Sequence, residues 1–249
     1  MQSALDQFRI SIVRVRELIS LHNSVKAQST TALDLSDILR AALVLAVSAL
    51  DYYIHEVVTL GMLEIHRGQR SEPNPPRNSS QSAFSRFQVS LGGARQERLI
   101  AMDIASWLEN EIQQSQGSSF LQQSHTVSAL LPVISSGILN RLNNASWLED
   151  KVRERLSYQS FQQPEKIADA IRLISDKKLW EEVAQKFGRS AKDVKQQLSA
   201  IVDRRNKIAH EADIDPTYNI GSRWYIDEIL VSDAVNFVEQ VIETIHQIL

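Results

Sequence analysis

The sequence has no cysteine, few turn-forming residues and no large excess of charge, and each absence narrows the class of protein. Without cysteine, the 249 residues can form neither a disulfide framework nor a thiolate zinc site. Only eight glycines and six prolines interrupt the chain, which favours long helices over many short strands. The net charge of -3 argues against a general attraction to nucleic acid, because such binding needs clustered Lys and Arg.

No stretch of the sequence has the pattern of a signal peptide or a membrane span. The longest apolar run, residues 41–50, is shorter than the about 20 residues that a bilayer-crossing helix needs. We therefore predict a cytoplasmic protein without membrane contact. A hydrophobic content of 43% is enough for one sizeable core, so we predict a single domain over residues 1–249.

Apolar residues recur at helical spacing along most of the chain and predict an all-α bundle. The predicted helices cover residues 2–22, 36–66, 84–91, 95–114, 164–175, 176–187, 190 onward and 232–249, with short helices and turns in 117–145. The second of these is almost wholly apolar from Ile38 to Leu50, which indicates a central buried helix. Prolines and polar residues in 71–82 predict a mobile loop, and residues 224–231 fit either a short strand or an irregular connection.

The densest cluster of ionisable residues, 203–213, follows the apolar part of the helix that begins at 190. Arg205 falls in the centre of the apolar stripe, where a leucine would serve packing better. His210 lies five residues on, roughly 140° around the helix and about 7.5 Å along it. The two are not helix-surface neighbours. If both act on one substrate, either the helix ends between them or a second copy of the helix completes the site.

The residues Arg205, Asn206 and His210 resemble the Arg-polar-x-x-x-His signature of the HEPN superfamily, which includes prokaryotic toxins, RNA-targeting immunity effectors and related ribonucleases. Together with the upstream helix from Arg40 to Glu56, the segment is similar to the branch called RiboL-PSP-HEPN. The resemblance covers these two segments and, more loosely, the final helix. Most of residues 68–190 lies outside it, and we expect that region to hold the mobile loop and a helical insertion.

The resemblance implies a homodimeric, metal-independent endoribonuclease that needs no cofactor and works as a toxin or an antiviral defence effector. Arg205 and His210 are then the catalytic residues, with Asn206 and Asp51 orienting them and Arg204 and Lys207 contacting RNA. The dimer forms through the motif helix, RNA is the substrate, DNA is excluded, and a neighbouring antitoxin or effector protein is a further partner. Some toxins of the superfamily carry a modifiable tyrosine two residues beyond the histidine, where this chain has Ala212, so that form of control is not expected.

Each site residue also has a structural explanation, which leaves as the alternative function a non-catalytic helical module that binds RNA, a nucleotide or a partner protein. His210 near a helix end complements the helix dipole, a contribution of about 0.3–1 kcal/mol. Arg205 is also explained as a buried cation paired with Asp51, since an unpaired buried charge would cost several kcal/mol. The remaining histidines have no metal-ligand spacing, so no metal site is predicted.

Two further patterns are weaker. Residues 178–190 resemble the start of a helix-turn-helix, but the second helix has Val194 and Leu198 where a recognition helix needs polar residues for bases. Residues 66–98 hold six arginines against two glutamates. This run predicts a solvated loop, or a phosphate-tracking surface if the fold brings it beside Arg204, Arg205 and Lys207.

Overall fold

The computed structural model describes residues 1–28, 33–77, 80–87, 109, 112–143, 145–217 and 220–249. Within these residues the fold is all α, as predicted, and the one β-type pairing is an isolated bridge between Ile214 and Arg223. The α-helices are α1 (Gln2–Gln28), α2 (Ser36–His66), α3 (Val127–Asn143), α4 (Ala145–Ser157), α5 (Pro164–Ile171), α6 (Leu179–Phe187), α7 (Ala191–Glu211) and α8 (Glu228–Ile248). The chain forms two compact units, one of residues 1–86 with 159–249 and one of residues 87–158.

The central helix of the larger unit is α2, which packs against α1, α5, α7 and α8. Its inward side chains, among them Val47, Leu50 and Ile54, are fully buried, as the long apolar run predicted. The burial is not complete around the helix. A stripe of Ala41, Leu45, Ser48 and Tyr52 is exposed, with Leu45 47% and Tyr52 49% accessible. Leu45 and Tyr52 thus add apolar surface to the exposed side of this core helix.

Helices α1 and α8 pack together antiparallel along a row of ion pairs. Arg9 donates two hydrogen bonds to Glu243, Arg16 pairs with Glu239, and Lys26 donates to both carboxylate oxygens of Glu228. These pairs lie at the solvent edge, where each contributes only about 0.2–1 kcal/mol. The apolar side chains beneath them, such as Phe8 and Val238, therefore provide most of the packing energy.

The unit of residues 87–158 differs from the sequence prediction. Short helices with turns were expected in 117–145, and residues 117–126 do hold turns and a short 3-10 helix, Phe120–Gln122. Beyond them α3 runs unbroken from Val127 to Asn143 with Pro132 and Gly137 inside it. For that part the prediction was wrong, because an interior proline removes one backbone donor without ending every helix. The unit lies inside the region 68–190 for which an insertion was expected, with narrower bounds. The assignment of a single domain stays a prediction.

Several helix boundaries in the larger unit also differ from the predicted ones. The last helix begins at Glu228 rather than Ser232, because Asp227 caps it by accepting a hydrogen bond from the N–H of Leu230. Residues 83–86 form turns instead of the expected helix from residue 84, and residues 88–91 lie outside the described part of the chain. The described residues of 71–82 are not helical, as expected. In the smaller unit, most of the helix predicted over 95–114 falls on residues that are not described, although 112–116 are helical.

One helix, α2, is long and apolar enough to cross a membrane by length and composition. Its most apolar 18-residue stretch is 56% buried within the protein. Core helices of water-soluble proteins have the same character, so this feature is weak evidence for a membrane span.

A partly buried contact between α2 and α8 predicts a pH-dependent stability. The Tyr53 hydroxyl lies 3.0 Å from Nδ1 of His246, and burial lowers the pKa of His246 from the ordinary 6.5. Below pH 6.5 the unfolded chain therefore binds this proton before the folded protein does, so stability falls as the pH drops from 6.5 towards the lower folded pKa. We expect the melting temperature to fall between pH 7.5 and 5.5, and to fall less steeply in His246→Gln. Equal slopes in thermal melts of the two proteins would contradict this assignment.

Candidate functional site

The polar cluster predicted from the sequence lies on the last turns of α7. Ser190 caps the start of this helix by accepting a hydrogen bond of 3.1 Å from the N–H of Asp193. Val194 and Leu198 are fully buried, so the first turns of α7 belong to the core. This burial argues against a DNA-recognition helix, which presents its N-terminal residues to bases. The helix continues to Glu211, and Ala212 follows in a left-handed conformation with φ of 50°.

Arg205 and His210 therefore belong to one continuous helix. The first of the two alternatives drawn from the sequence, a helix end between them, does not apply. On an unbroken helix their side chains leave the axis roughly 140° apart. A substrate atom cannot meet both groups by contacting a single face of α7.

Arg205 has no counter-ion in the part of the chain that the structure describes. Its Nε is buried without a hydrogen-bond partner, and within the described residues no carboxylate pairs with its guanidinium. The expected pair with Asp51 is not formed. Asp51 instead accepts hydrogen bonds of 2.6 Å from the N–H of Phe161 and 3.0 Å from Gln162. Asp51 thus fastens the segment before α5 to α2. No direct contact between Asp51 and Arg205 supports the predicted orienting role.

His210 and Asn206 both leave their side chains available. His210 is exposed and Asn206 is half-buried, and neither side chain makes a hydrogen bond to another described residue. An orienting bond from Asn206 to His210 is therefore not formed in the single chain. Asp203, about one turn before Asn206 on the same side of α7, accepts a hydrogen bond of 3.1 Å from Gln163. The side of α7 that carries Asn206 and His210 is open to solvent at His210.

A buried carboxylate fixes the end of α7 three residues beyond His210. Asp213 is fully buried, with Nε of Arg40 2.6 Å from one carboxylate oxygen and Nη1 of Arg204 2.6 Å from the other. Both arginines also donate to the carbonyl of Trp224, and the N–H of Trp224 donates to the carbonyl of Asp213. We call Asp213, Arg40 and Arg204 the carboxylate clamp. It joins α2, α7 and the segment before α8 at one point.

The clamp holds a strained piece of backbone. Ala212 and Asp213 have φ of 50° and 58°, a region that costs a residue with a Cβ roughly 1–2 kcal/mol. Hydrogen bonds from the N–H groups of Ala212 and Asp213 to the carbonyl of Lys207 close the helix in this conformation. The strain is sustained because the buried carboxylate has two cationic partners.

Arg204 and Lys207, the predicted RNA contacts, already have neighbours within the chain. Arg204 is part of the carboxylate clamp, and burial lowers its pKa against the opposing effect of Asp213. The ammonium of Lys207 lies 4.5 Å from the centre of the Trp224 ring, a cation–π contact. Their contact with RNA stays a prediction, and Arg204 has a structural role.

An apolar groove of about 540 Å³ lies between α2 and the end of α7. Ala41, Val44 and Leu45 of α2 face Ile208 and Ala212 of the motif region across it. The groove continues onto the exposed stripe of α2 through Leu45. A surface suited to a partner thus adjoins the helix that carries Arg205 and His210.

The arginines of the run 66–98 whose surroundings the structure describes, Arg70, Arg77 and Arg86, do not lie at the motif. Arg77 and Arg86 line a cleft with residues of α5, α6 and the start of α7, separate from the residues around Arg204, Arg205 and Lys207. Arg70 is bound to Glu64 at 3.1 Å. Residues 88–98 lie outside the described part of the chain.

Comparison with known proteins supports the resemblance drawn from the two motif segments. A family model described as RiboL-PSP-HEPN matches residues 10–249 and confirms it. The match runs through 68–190 as well, so the expectation that this region lies outside the resemblance was wrong. No curated protein and no solved structure is significantly similar to the chain.

Proposed function

Because this chain belongs to the RiboL-PSP-HEPN family, whose domain type points to nuclease or RNA-related roles, we propose that it is a metal-independent endoribonuclease. The observation that supports this proposal most strongly is the unpaired guanidinium of Arg205. The Nε of this half-buried arginine is buried, and no described carboxylate balances the guanidinium, whereas Asp213 balances that of Arg40. A cation without a partner among the described residues is available to an external anion such as a phosphate.

The reaction needs no metal because the 2′-hydroxyl of RNA supplies the nucleophile. A base removes the 2′-hydroxyl proton, the 2′-oxygen bonds to the adjacent phosphorus, and the bond from phosphorus to the 5′-oxygen breaks as an acid protonates that oxygen. We assign the proton transfers to His210. Arg205 stabilises the charge that grows on the phosphate oxygens, since its planar fork donates two hydrogen bonds and keeps its charge.

We propose that the complete site is formed by two copies of the chain. The reaction needs both a base and an acid, and one chain presents a single exposed histidine on this face of α7. Arg205 and His210 also diverge around one continuous helix. A twofold axis beside α7 places two arginines and two histidines around one furrow. The groove at Leu45 and Ile208 and the exposed side chain of Tyr52 give the second copy an apolar surface to cover.

We propose that the ribonuclease acts as a toxin or an antiviral defence effector in the cytoplasm. This assignment follows the superfamily resemblance, with a neighbouring antitoxin or effector protein as regulatory partner. Ala212 stands where some toxins of the superfamily carry a modifiable tyrosine, so control by that modification is not expected.

The purified protein is expected to cleave single-stranded RNA in the presence of EDTA and to leave DNA of the same sequence intact. The products should end in a 2′,3′-cyclic phosphate and a 5′-hydroxyl, because the attacking oxygen comes from the ribose. Mass spectrometry of the fragments identifies these ends. Products with a 5′-phosphate, or cleavage that stops in EDTA, would contradict the mechanism. RNA that is bound without cleavage would support a non-catalytic module instead.

A further inference from the structure

A polar cleft lies in the larger unit, away from the motif residues. It has a volume of about 750 Å³, and its walls are residues 73–77 with Ala83 and Arg86 on one side and the region of α5, α6 and the start of α7 on the other. Its basic side chains are Arg77, Arg86, Arg172, Lys177, Lys178 and Lys195. Glu165, Asp176 and Glu181 supply the acidic ones, so the lining has an excess of three positive charges.

Three of the cations have no carboxylate partner among the described residues. Arg77 is exposed and makes no side-chain contact there, Arg86 donates only to the carbonyl of Ser82, and Lys177 donates only to the carbonyl of Ile248. The acidic side chains are partly engaged, since Lys195 pairs with Glu165 at 2.9 Å and Asn74 donates to Asp176. The charge left unneutralised on the two walls is therefore positive. The chain as a whole has a net charge of -3, so the positive charge of the cleft is a local feature and not a property of the whole surface.

The start of helix α6 lies at the cleft but adds little attraction for an anion. The first N–H groups of a helix carry partial positive charge and donate to anions. The first turn of α6 also carries Glu181 and Glu182, whose carboxylates complement that charge. The attraction therefore comes from the basic side chains of the two walls.

The position of the cleft relative to the motif indicates which anion it binds. Lys195 lines the cleft and lies on the same helix as Arg205, ten residues earlier. Ten residues of α-helix span about 15 Å. A single RNA strand whose phosphate is held at Arg205 can therefore continue along α7 to the cleft. Cations on both walls suit a strand of phosphates running between them.

We propose that this cleft is an RNA-binding exosite that holds phosphates of the substrate strand beyond the cleavage point. The proposal rests on the ribonuclease function for the identity of the strand, and on the cleft itself for the binding. The exosite acts on affinity, because none of its residues contacts the reacting atoms.

The test is the binding of a fluorescent single-stranded 2′-O-methyl RNA, which lacks the nucleophile and stays intact. We expect Arg77→Ser combined with Arg86→Ser to raise the Kd about five- to tenfold at low salt. The slope of log K against log salt should flatten by about 0.7 for each phosphate that the variant no longer neutralises. With cleavable RNA, KM should rise while kcat stays unchanged. Both arginines are exposed, so the variant should keep its melting temperature.

The matched control is Arg14→Ser combined with Arg155→Ser, which removes two exposed arginines that lie outside the cleft. If both double variants lose affinity equally, the effect is one of general charge and the exosite is overturned. Unchanged binding in the cleft variant, with RNA cleavage intact in the wild type, overturns the exosite and leaves the ribonuclease standing. Loss of binding in the cleft variant, with no cleavage by the wild type, supports the exosite and overturns the ribonuclease function. Displacement of the probe by ATP as readily as by unlabelled strand overturns the assignment to RNA.

Discussion

Replacing either Arg205 or His210 by alanine is expected to remove RNA cleavage. Loss of a group that stabilises the charge of the transition state costs about 10²–10³ in rate, and loss of a general acid or base costs about 10²–10⁴. Arg205→Lys should recover little of the activity, because an ammonium cannot donate the planar pair of hydrogen bonds. Cleavage of a labelled RNA in EDTA gives the rates.

The controls for these variants lie on the same helix. Glu211 is exposed and adjacent to His210, so Glu211→Ala should keep both activity and stability. His210 is itself exposed, which means that His210→Ala should fold normally. Thermal melts check this directly. Cleavage that persists in both Arg205→Ala and His210→Ala would place the activity at another site or in a contaminant.

Diluting the wild-type chain with the double variant Arg205→Ala/His210→Ala tests the shared site. If each furrow needs an acid and a base from two copies, a mixed dimer keeps only one histidine and one arginine around it and is inactive. After the mixture is unfolded and refolded, activity should then fall with the square of the wild-type fraction. Activity that falls only in proportion to that fraction, with mixed dimers shown to be present, would mean that each chain carries a complete site of its own.

The positions of the long helices could be predicted from the sequence because their apolar patterns are strong. Helix α2 begins and ends where its pattern does, and Gly188 ends α6 in the left-handed conformation expected of such a glycine. Boundaries set by a single polar cap were less predictable. Asp227 caps α8, so the helix begins at Glu228, four residues before Ser232, the start expected from the sequence. Nothing in the pattern alone distinguishes the two capping sites.

The partners of the site residues could not be predicted, since they depend on contacts between distant segments. Asp51 was expected to hold Arg205, but the segment at Phe161 and Gln162 occupies its carboxylate. The carboxylate clamp did leave a signal in the sequence. Arg40 is a cation inside the most apolar helix, and such a residue needs a buried counter-charge. The sequence does not show that this charge is Asp213, 173 residues away.

The second large effect is expected in stability, from the change Asp213→Asn in the carboxylate clamp. Asparagine has nearly the same shape and tolerates the left-handed conformation, so the substitution removes the charge with little added strain. Arg40, whose side chain is 7% exposed, then loses its buried counter-charge, and so does Arg204. Breaking a buried ion pair on one side costs about 3–5 kcal/mol. For a chain of this size the melting temperature should fall by about 6–20 °C.

The same loop offers a matched control in Asp215, which is also buried but accepts its hydrogen bonds from the N–H and hydroxyl of Thr217 and from no cation. Asp215→Asn should therefore cost much less than Asp213→Asn. Adding Arg40→Met to Asp213→Asn should recover part of the loss, because it removes the cation left without a partner. Equal melting temperatures for the two asparagine variants would mean that the ion pairs add no net stability. The end of α7, and with it His210, would then be held by the backbone hydrogen bonds to Lys207 and Trp224 alone.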